Sequence, residues 1–117
     1  MSDALKEFIE ARVPREGLAA WGAQRADRTF LSQCYKSWLT SAQVEQTVSR
    51  LAIAAQNLAQ RDGEPLRLCW TFEHARVHLA LRADGFCLAL FLENRPGLAQ
   101  DALERALEEF LAKPTGW

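Results

Sequence analysis

The sequence predicts an α+β domain: helix, two strands, helix, three strands, helix, with the strands antiparallel. Three observations predict it. Apolar residues recur at helical spacing in three separate segments. Between the second and third of these, strand-length apolar runs flank an Asp84-Gly85 pair, a strong hairpin signal. Pro and Gly fall singly at the joints, with no repeat or linker, so residues 1–117 read as a single domain.

The first helix takes Ser2 as its N-cap and carries Leu5, Phe8, Ile9 and Val13 on one stripe, with Lys6, Glu7 and Glu10 opposite. The stretch from Pro14 to Gly17 ends it. Two extended segments follow, Leu18 to Arg25 and Phe30 to Leu39. The polar Ala26-Asp27-Arg28-Thr29 between them reads as a hairpin. Neither segment alternates cleanly, so the sequence leaves their register open. Thr40-x-x-Gln43 then has the form of a capping box. Behind it Val44, Val48, Leu51, Ala55 and Leu58 make a second stripe, closed by Asp62-Gly63 and Pro65.

A two-residue turn at Asp84-Gly85 sets Leu81 opposite Leu88, and a tip at His74-Ala75 sets Leu68 opposite Leu81. Three rows are expected on one face: Leu68-Leu81-Leu88, Trp70-Leu79-Leu90 and Phe72-Val77-Leu92. The middle row behind them would be Cys69-Ala80-Ala89, small enough for a helix to lie close. Phe86 to Leu92 is apolar on both faces, as a central strand covered on both sides should be. The last helix spans Asn94 to Lys113, with Pro96 in its first turn and a stripe of Ala99, Leu103, Ala106, Leu107 and Phe110.

Composition removes several function classes. Fourteen basic residues against fifteen acidic ones leave no surplus to neutralise phosphate backbones, which argues against nucleic acid. No run approaches the roughly 18 apolar residues of a membrane span. Without an export signal, and with three cysteines lacking Cys-x-x-Cys spacing, the chain is expected to be cytoplasmic with reduced thiols. Neither a Walker A loop nor a dinucleotide fingerprint occurs, so no cofactor is expected. His74 and His78 are spaced as zinc ligands would be on a helix, but a hairpin tip separates them and no third ligand converges, so no metal is expected. Cys34, Cys69 and Cys87 lack a strand-to-helix elbow or an oxyanion loop, and no catalytic residue is assigned.

Arg95-Pro96-Gly97-Leu98-Ala99-Gln100 is similar to the Asn-x-Gly-x-x-Arg approach to the last helix of the Roadblock (dynein light chain) family, with Gln100 where Arg is common. Gly17 to Asp27 resembles that family's opening strand, although Asp27-Arg28-Thr29-Phe30 lacks its turn glycine. With the Ala-rich middle helix and the element order, the chain resembles a bacterial GTPase-regulator-like member. The resemblance implies a five-stranded sheet in the order 2-1-5-4-3, the middle helix on one face and the terminal helices on the other. It also implies a non-enzymatic homodimer, paired through third strands and middle helices, that acts as a scaffold or regulator for a small Ras-like GTPase or a larger assembly. The alternative is a secretion-type chaperone holding an extended client segment by β-augmentation, although such chaperones place three strands before the middle helix.

The residues support self-association independently. Leu66 to Glu73 would be an edge strand in that order, yet it lacks proline and carries the large Leu66, Leu68, Trp70 and Phe72. Across the middle helix from its stripe lie Gln46, Ser49, Ile53, Gln56, Asn57 and Gln60, amides around an isoleucine where a solvated face usually carries charge. These ten residues are the expected dimer interface. Arg67 and Arg82, expected opposite each other at one end of the sheet, are candidate contacts for an acidic partner. Trp21, Trp38 and Trp70 are read as buried aromatics, and Trp117 as terminal.

Overall fold

The computed structural model describes residues 3–59, 66–73, 75–82, 84–94 and 100–112. The elements are α1 (Asp3–Arg12), β1 (Leu18–Gln24), β2 (Phe30–Cys34), α2 (Ser41–Ala59), β3 (Leu66–Thr71), β4 (Ala75–Leu81), β5 (Cys87–Glu93) and α3 (Gln100–Ala112). The strands form one antiparallel sheet in the order β2-β1-β5-β4-β3, the α+β architecture expected. Ser2, His74, the Asp62-Gly63-Pro65 helix end, the 95–99 motif and Trp117 lie outside the described residues.

Each face of the sheet has its own apolar core. Leu5, Ile9 and Val13 at the N-terminal end and Leu103, Ala106, Leu107 and Phe110 of α3 pack with Trp21, Leu88, Leu90 and Leu92. On the other side Val44, Val48, Ala52 and Ala55 of α2 pack with Val77, Leu79, Leu81, Ala89 and Phe91. Burying a side chain of valine, leucine or phenylalanine size stabilises by about 1.5–3 kcal/mol, so β5, buried on both faces, anchors the molecule.

Local chemistry explains how α2 reaches the sheet. The Gln43 N–H donates to the Thr40 hydroxyl at 3.2 Å, and the Thr40 N–H donates to Gln43 Oε1 at 2.9 Å, so the capping box forms. Four residues on, Val44 meets Gly22 of β1 so closely that a Cβ on the glycine would lie 2.8 Å from Val44 Cγ1 and 3.0 Å from Val48 Cγ2. The helix can approach the strand because that position has no side chain.

Several sequence expectations are corrected. The β4–β5 hairpin closes with the Arg82 N–H donating to the Phe86 carbonyl at 2.9 Å, three residues apart rather than two across the turn. Gly85 has positive φ (+89°) there, and its N–H returns to the Arg82 carbonyl. Leu81 therefore pairs with Cys87, Leu79 with Ala89 and Val77 with Phe91, one residue off the expected rows. Leu88, Leu90 and Leu92 face α1 and α3 instead. A one-residue slip normally exposes apolar residues, but β5 is apolar on both sides and the pattern had no power to choose. At the other hairpin the Phe72 N–H donates to the Ala75 carbonyl at 2.7 Å, so the chain turns one residue early. Leu68 then pairs with Leu79 and Trp70 with Val77, a shift of two that keeps the face. The small row Cys69-Ala80-Ala89 does not exist, since Cys69 pairs with His78.

β2 ends at Cys34, short of Leu39. Between Leu18 and Ala20 the β1–β5 register shifts, a bulge that turns both Ala19 and Ala20 toward α2 and spoils the alternation of β1. Ala52 is buried in the α2 stripe, whereas Leu58 is exposed. Trp38, read as buried, is 48% exposed.

Candidate interaction surface

β3 is an edge strand: it pairs with β4 on one side and, among the described residues, with no strand on the other. Successive residues of an antiparallel strand point their backbone groups alternately left and right. Since Phe72 bonds to Ala75, the residues Leu66, Leu68, Trp70 and Phe72 address β4, and Arg67, Cys69 and Thr71 address the open side. Unpaired edge groups of this kind are a template for another strand.

The side chains of this edge are largely apolar. Leu66, Leu68 and Trp70 are half-buried against the α2 core, and Phe72 is 45% exposed. Phe72 and Trp38 both line a groove of about 450 Å³ floored by Ala75, Val77 and Phe91 and bordered by Gln43 and Thr47. The Thr47 flank of α2 therefore faces the β3–β4 side. Leu58, eleven residues on and thus three turns along the same flank, is 67% exposed. The sequence places Leu58 on a buried stripe and Trp38 among the buried aromatics of the first hairpin; their position relative to the sheet, not their identity, makes them surface residues.

The outer α2 residues divide into two groups. Gln46, Ile53 and Asn57 point outward, with Ile53 61% exposed. Ser49 and Gln56 lie toward the β1–β2 hairpin: the Ser49 hydroxyl bonds Gln24 Oε1 at 3.0 Å, and both border, together with Ile53, a groove with Arg25, Arg28 and Phe30. Gln60 falls outside the described residues. Along the whole of α2 the only charged side chains are Glu45 and Arg50.

Arg67 and Arg82 do not face each other; Arg67 pairs with Ala80. The Arg67 guanidinium bonds Glu104 on α3, which holds the Glu104 carboxyl below its ordinary range and raises the guanidinium. Arg82 is buried, with Nη2 2.7 Å from Asp84 Oδ2 and its guanidinium near the Phe86 and Phe110 rings. Both arginines thus already hold carboxylates of their own chain.

The thiols differ sharply. Burial pushes Cys87 up to about 12, and desolvation also raises Cys34. Cys69 is exposed, with Sγ 3.8 Å from Nε2 of the buried His78. Among the described residues no three His, Cys, Asp or Glu side chains are grouped to hold a metal ion, and no helix is long and apolar enough to cross a membrane.

No protein-family model matches this sequence, and no curated protein does. The fold is that found in Myxococcus xanthus MglB, with a TM-score of 0.59 over 90% of this chain and 86% of that one, at 11% sequence identity. The five-stranded α+β architecture in the order 2-1-5-4-3, expected from the element order, is thus one that a solved structure shares.

Proposed function

We propose that this chain is a non-enzymatic homodimeric scaffold or regulator whose partner is a small Ras-like GTPase or a larger assembly containing one. The observation that carries the dimer is the unmated backbone of Arg67, Cys69 and Thr71 beside half-buried Leu68 and Trp70. Pairing two copies of β3 joins two five-stranded sheets into one and satisfies the open N–H and C=O groups. Leu66, Leu68, Trp70 and Phe72 then meet their counterparts, while Gln46, Ile53 and Asn57, with Leu58 and the expected Ser49, Gln56 and Gln60, supply the helical part of the contact. A charge-poor outer face on α2 suits a helix that touches protein on two sides.

The regulatory role rests on the likeness of fold to MglB. A Roadblock-like scaffold acts on its partner by binding, so the sign of its effect lies in which nucleotide state it prefers. The chaperone alternative shares the open edge but puts three strands before the middle helix; here two come before and three after.

Two measurements test the proposal. Sedimentation equilibrium at micromolar concentration is expected to give twice the monomer mass, and Ile53→Glu to lower it; a monomer under those conditions removes the dimer. Pull-down of the Ras-like GTPase encoded nearest to this chain, loaded with GTP or GDP, is expected to show a preference for the GTP form. Equal failure with both nucleotides removes the GTPase reading and leaves the fold intact.

A further inference from the structure

The proposed dimer has a register, and the sequence of β3 selects it. A two-fold axis between antiparallel copies pairs some residue with itself. Centring it on Cys69 pairs Arg67 with the partner's Thr71 and Thr71 with the partner's Arg67, so all three outward residues of β3 bond to outward residues. Centring on Leu68 loses part of this, because it brings residue 65, a proline with no N–H, into the ladder. Centring on Trp70 calls on Glu73, which lies beyond the end of the strand. Centring on Arg67 sets two guanidiniums face to face. The Cys69 register also sets Leu68 against the partner's Trp70 on the α2 side, a favourable aliphatic–aromatic pair.

From this we infer that Cys69 is a modification site: on oxidation it forms a disulfide with the partner's Cys69 and locks the dimer covalently. The inference rests on the dimer reading above. Directly opposed residues in a hydrogen-bonded antiparallel pair have Cα atoms about 5.5 Å apart. Disulfides have their commonest Cα separation at about 5.5–6 Å, and the link draws the opposed Cβ atoms in from about 5.5 Å to about 4.5 Å. A second observation marks this thiol among the three. His78, 5% exposed and directly across from Cys69 on β4, aims Nε2 at Sγ from 3.8 Å. Among the described residues that thiol is the ring's hydrogen-bond partner. The ring therefore fixes where the sulfur sits, on the strand whose backbone is open. Cys87 is buried and Cys34 lies on β2, at the far edge of the sheet.

The chemistry is thiol–disulfide exchange with a small-molecule disulfide as oxidant. The Cys69 thiolate attacks one sulfur of that disulfide and expels the other as a thiolate, which takes up a proton. The partner's Cys69 loses its proton to solvent, attacks the resulting mixed disulfide at the protein sulfur and expels the second small thiolate, which is protonated in turn. Two protein thiols become one disulfide, and the oxidant becomes two thiols. Both sulfurs lie on the α1–α3 side of the sheet with Arg67 and His78, so the leaving thiolate departs beside a guanidinium.

The test incubates the full chain with oxidised glutathione and follows it by non-reducing electrophoresis, peptide mass spectrometry and sedimentation. A species of twice the monomer mass, reversed by reductant and containing a Cys69–Cys69 linked peptide, is expected. Cys69→Ser abolishes it, and Cys34→Ser and Cys87→Ser retain it. A non-covalent dimer that yields no such link, or one joined through Cys34, overturns the inference and leaves the dimer standing. A chain that is monomeric and unlinked overturns both.

Discussion

The two edges of the sheet are built differently. β2 is five residues long, every one half-buried, with Ser32 and Gln33 at its centre. Its open backbone belongs to Phe30, Ser32 and Cys34, because the Tyr35 N–H bonds the Ala19 carbonyl and fixes the alternation. Just beyond its end, Lys36 reaches Glu93 at 3.2 Å. Shortness and polarity are the ordinary ways of blunting an edge. β3, only one residue longer, differs in polarity: Leu66, Leu68 and Trp70 line it, Phe72 follows, and its one charge, Arg67, is turned back onto Glu104. An edge open on one side alone lets two copies close on each other and stop, whereas two open edges would allow a growing filament.

The comparison breaks most readily at the backbone. Proline at an outward position removes a donor the chain's own ladder does not use. Thr71→Pro is expected to weaken self-association by on the order of 100-fold, with the monomer still folded. Ser32→Pro, its counterpart on β2, should leave the association constant unchanged. Sedimentation velocity across a dilution series reads both. If the two substitutions act alike, β3 has no special role.

A second contrast lies in the two Arg-Ala-Asp hairpins, Arg25-Ala26-Asp27-Arg28 before β2 and Arg82-Ala83-Asp84-Gly85 before β5. In each, the aspartate accepts from the N–H two residues on, at 2.9 Å from Thr29 and 3.0 Å from Phe86. In each, the fourth residue has positive φ: +72° at Arg28, +89° at Gly85. Only the second uses glycine for it. Gly85→Ala adds strain and a Cβ 3.0 Å from that of Ala26, and should cost about 1–2 kcal/mol. Arg28→Gly relieves the same strain and should gain up to about 1 kcal/mol. Thermal melts of the two variants should move in opposite directions.

The smallest effect is a pH dependence. Burial holds His78 below its ordinary 6.5, with Arg76 adding to the effect and Glu104 opposing it. The unfolded ring takes up its proton at a higher pH than the folded one. Stability is therefore full above 6.5 and declines as pH falls from there toward the lowered folded value. His78→Asn should flatten the melting temperature between about pH 7 and about pH 5.5. Glu104, held below 4.5 by Arg67, contributes in a separate and more acidic window, its stabilisation lost as pH falls through its lowered folded value.

Element order, the capping box at Thr40 and the edge position of Leu66 to Thr71 were legible because each depends on local pattern. The β4–β5 register was not. Asp84-Gly85 fits both a two-residue and a three-residue turn, and β5 is apolar on both faces, so neither turn chemistry nor hydrophobic pattern could decide. The surface residues Trp38 and Leu58 were missed for a related reason. Leu58 sits near the end of its helix and Trp38 in the turn between β2 and α2, and the extent of the sheet beneath decides what is covered. The Cys69–His78 contact depends on the corrected register and could not precede it.

Residue-resolved hydrogen exchange tests the central claim most directly. If two copies pair along β3, the amides of Arg67, Cys69 and Thr71 are protected at high protein concentration and lose that protection on dilution, while those of Phe30, Ser32 and Cys34 exchange fast throughout. Fast exchange at both edges at every concentration would contradict it.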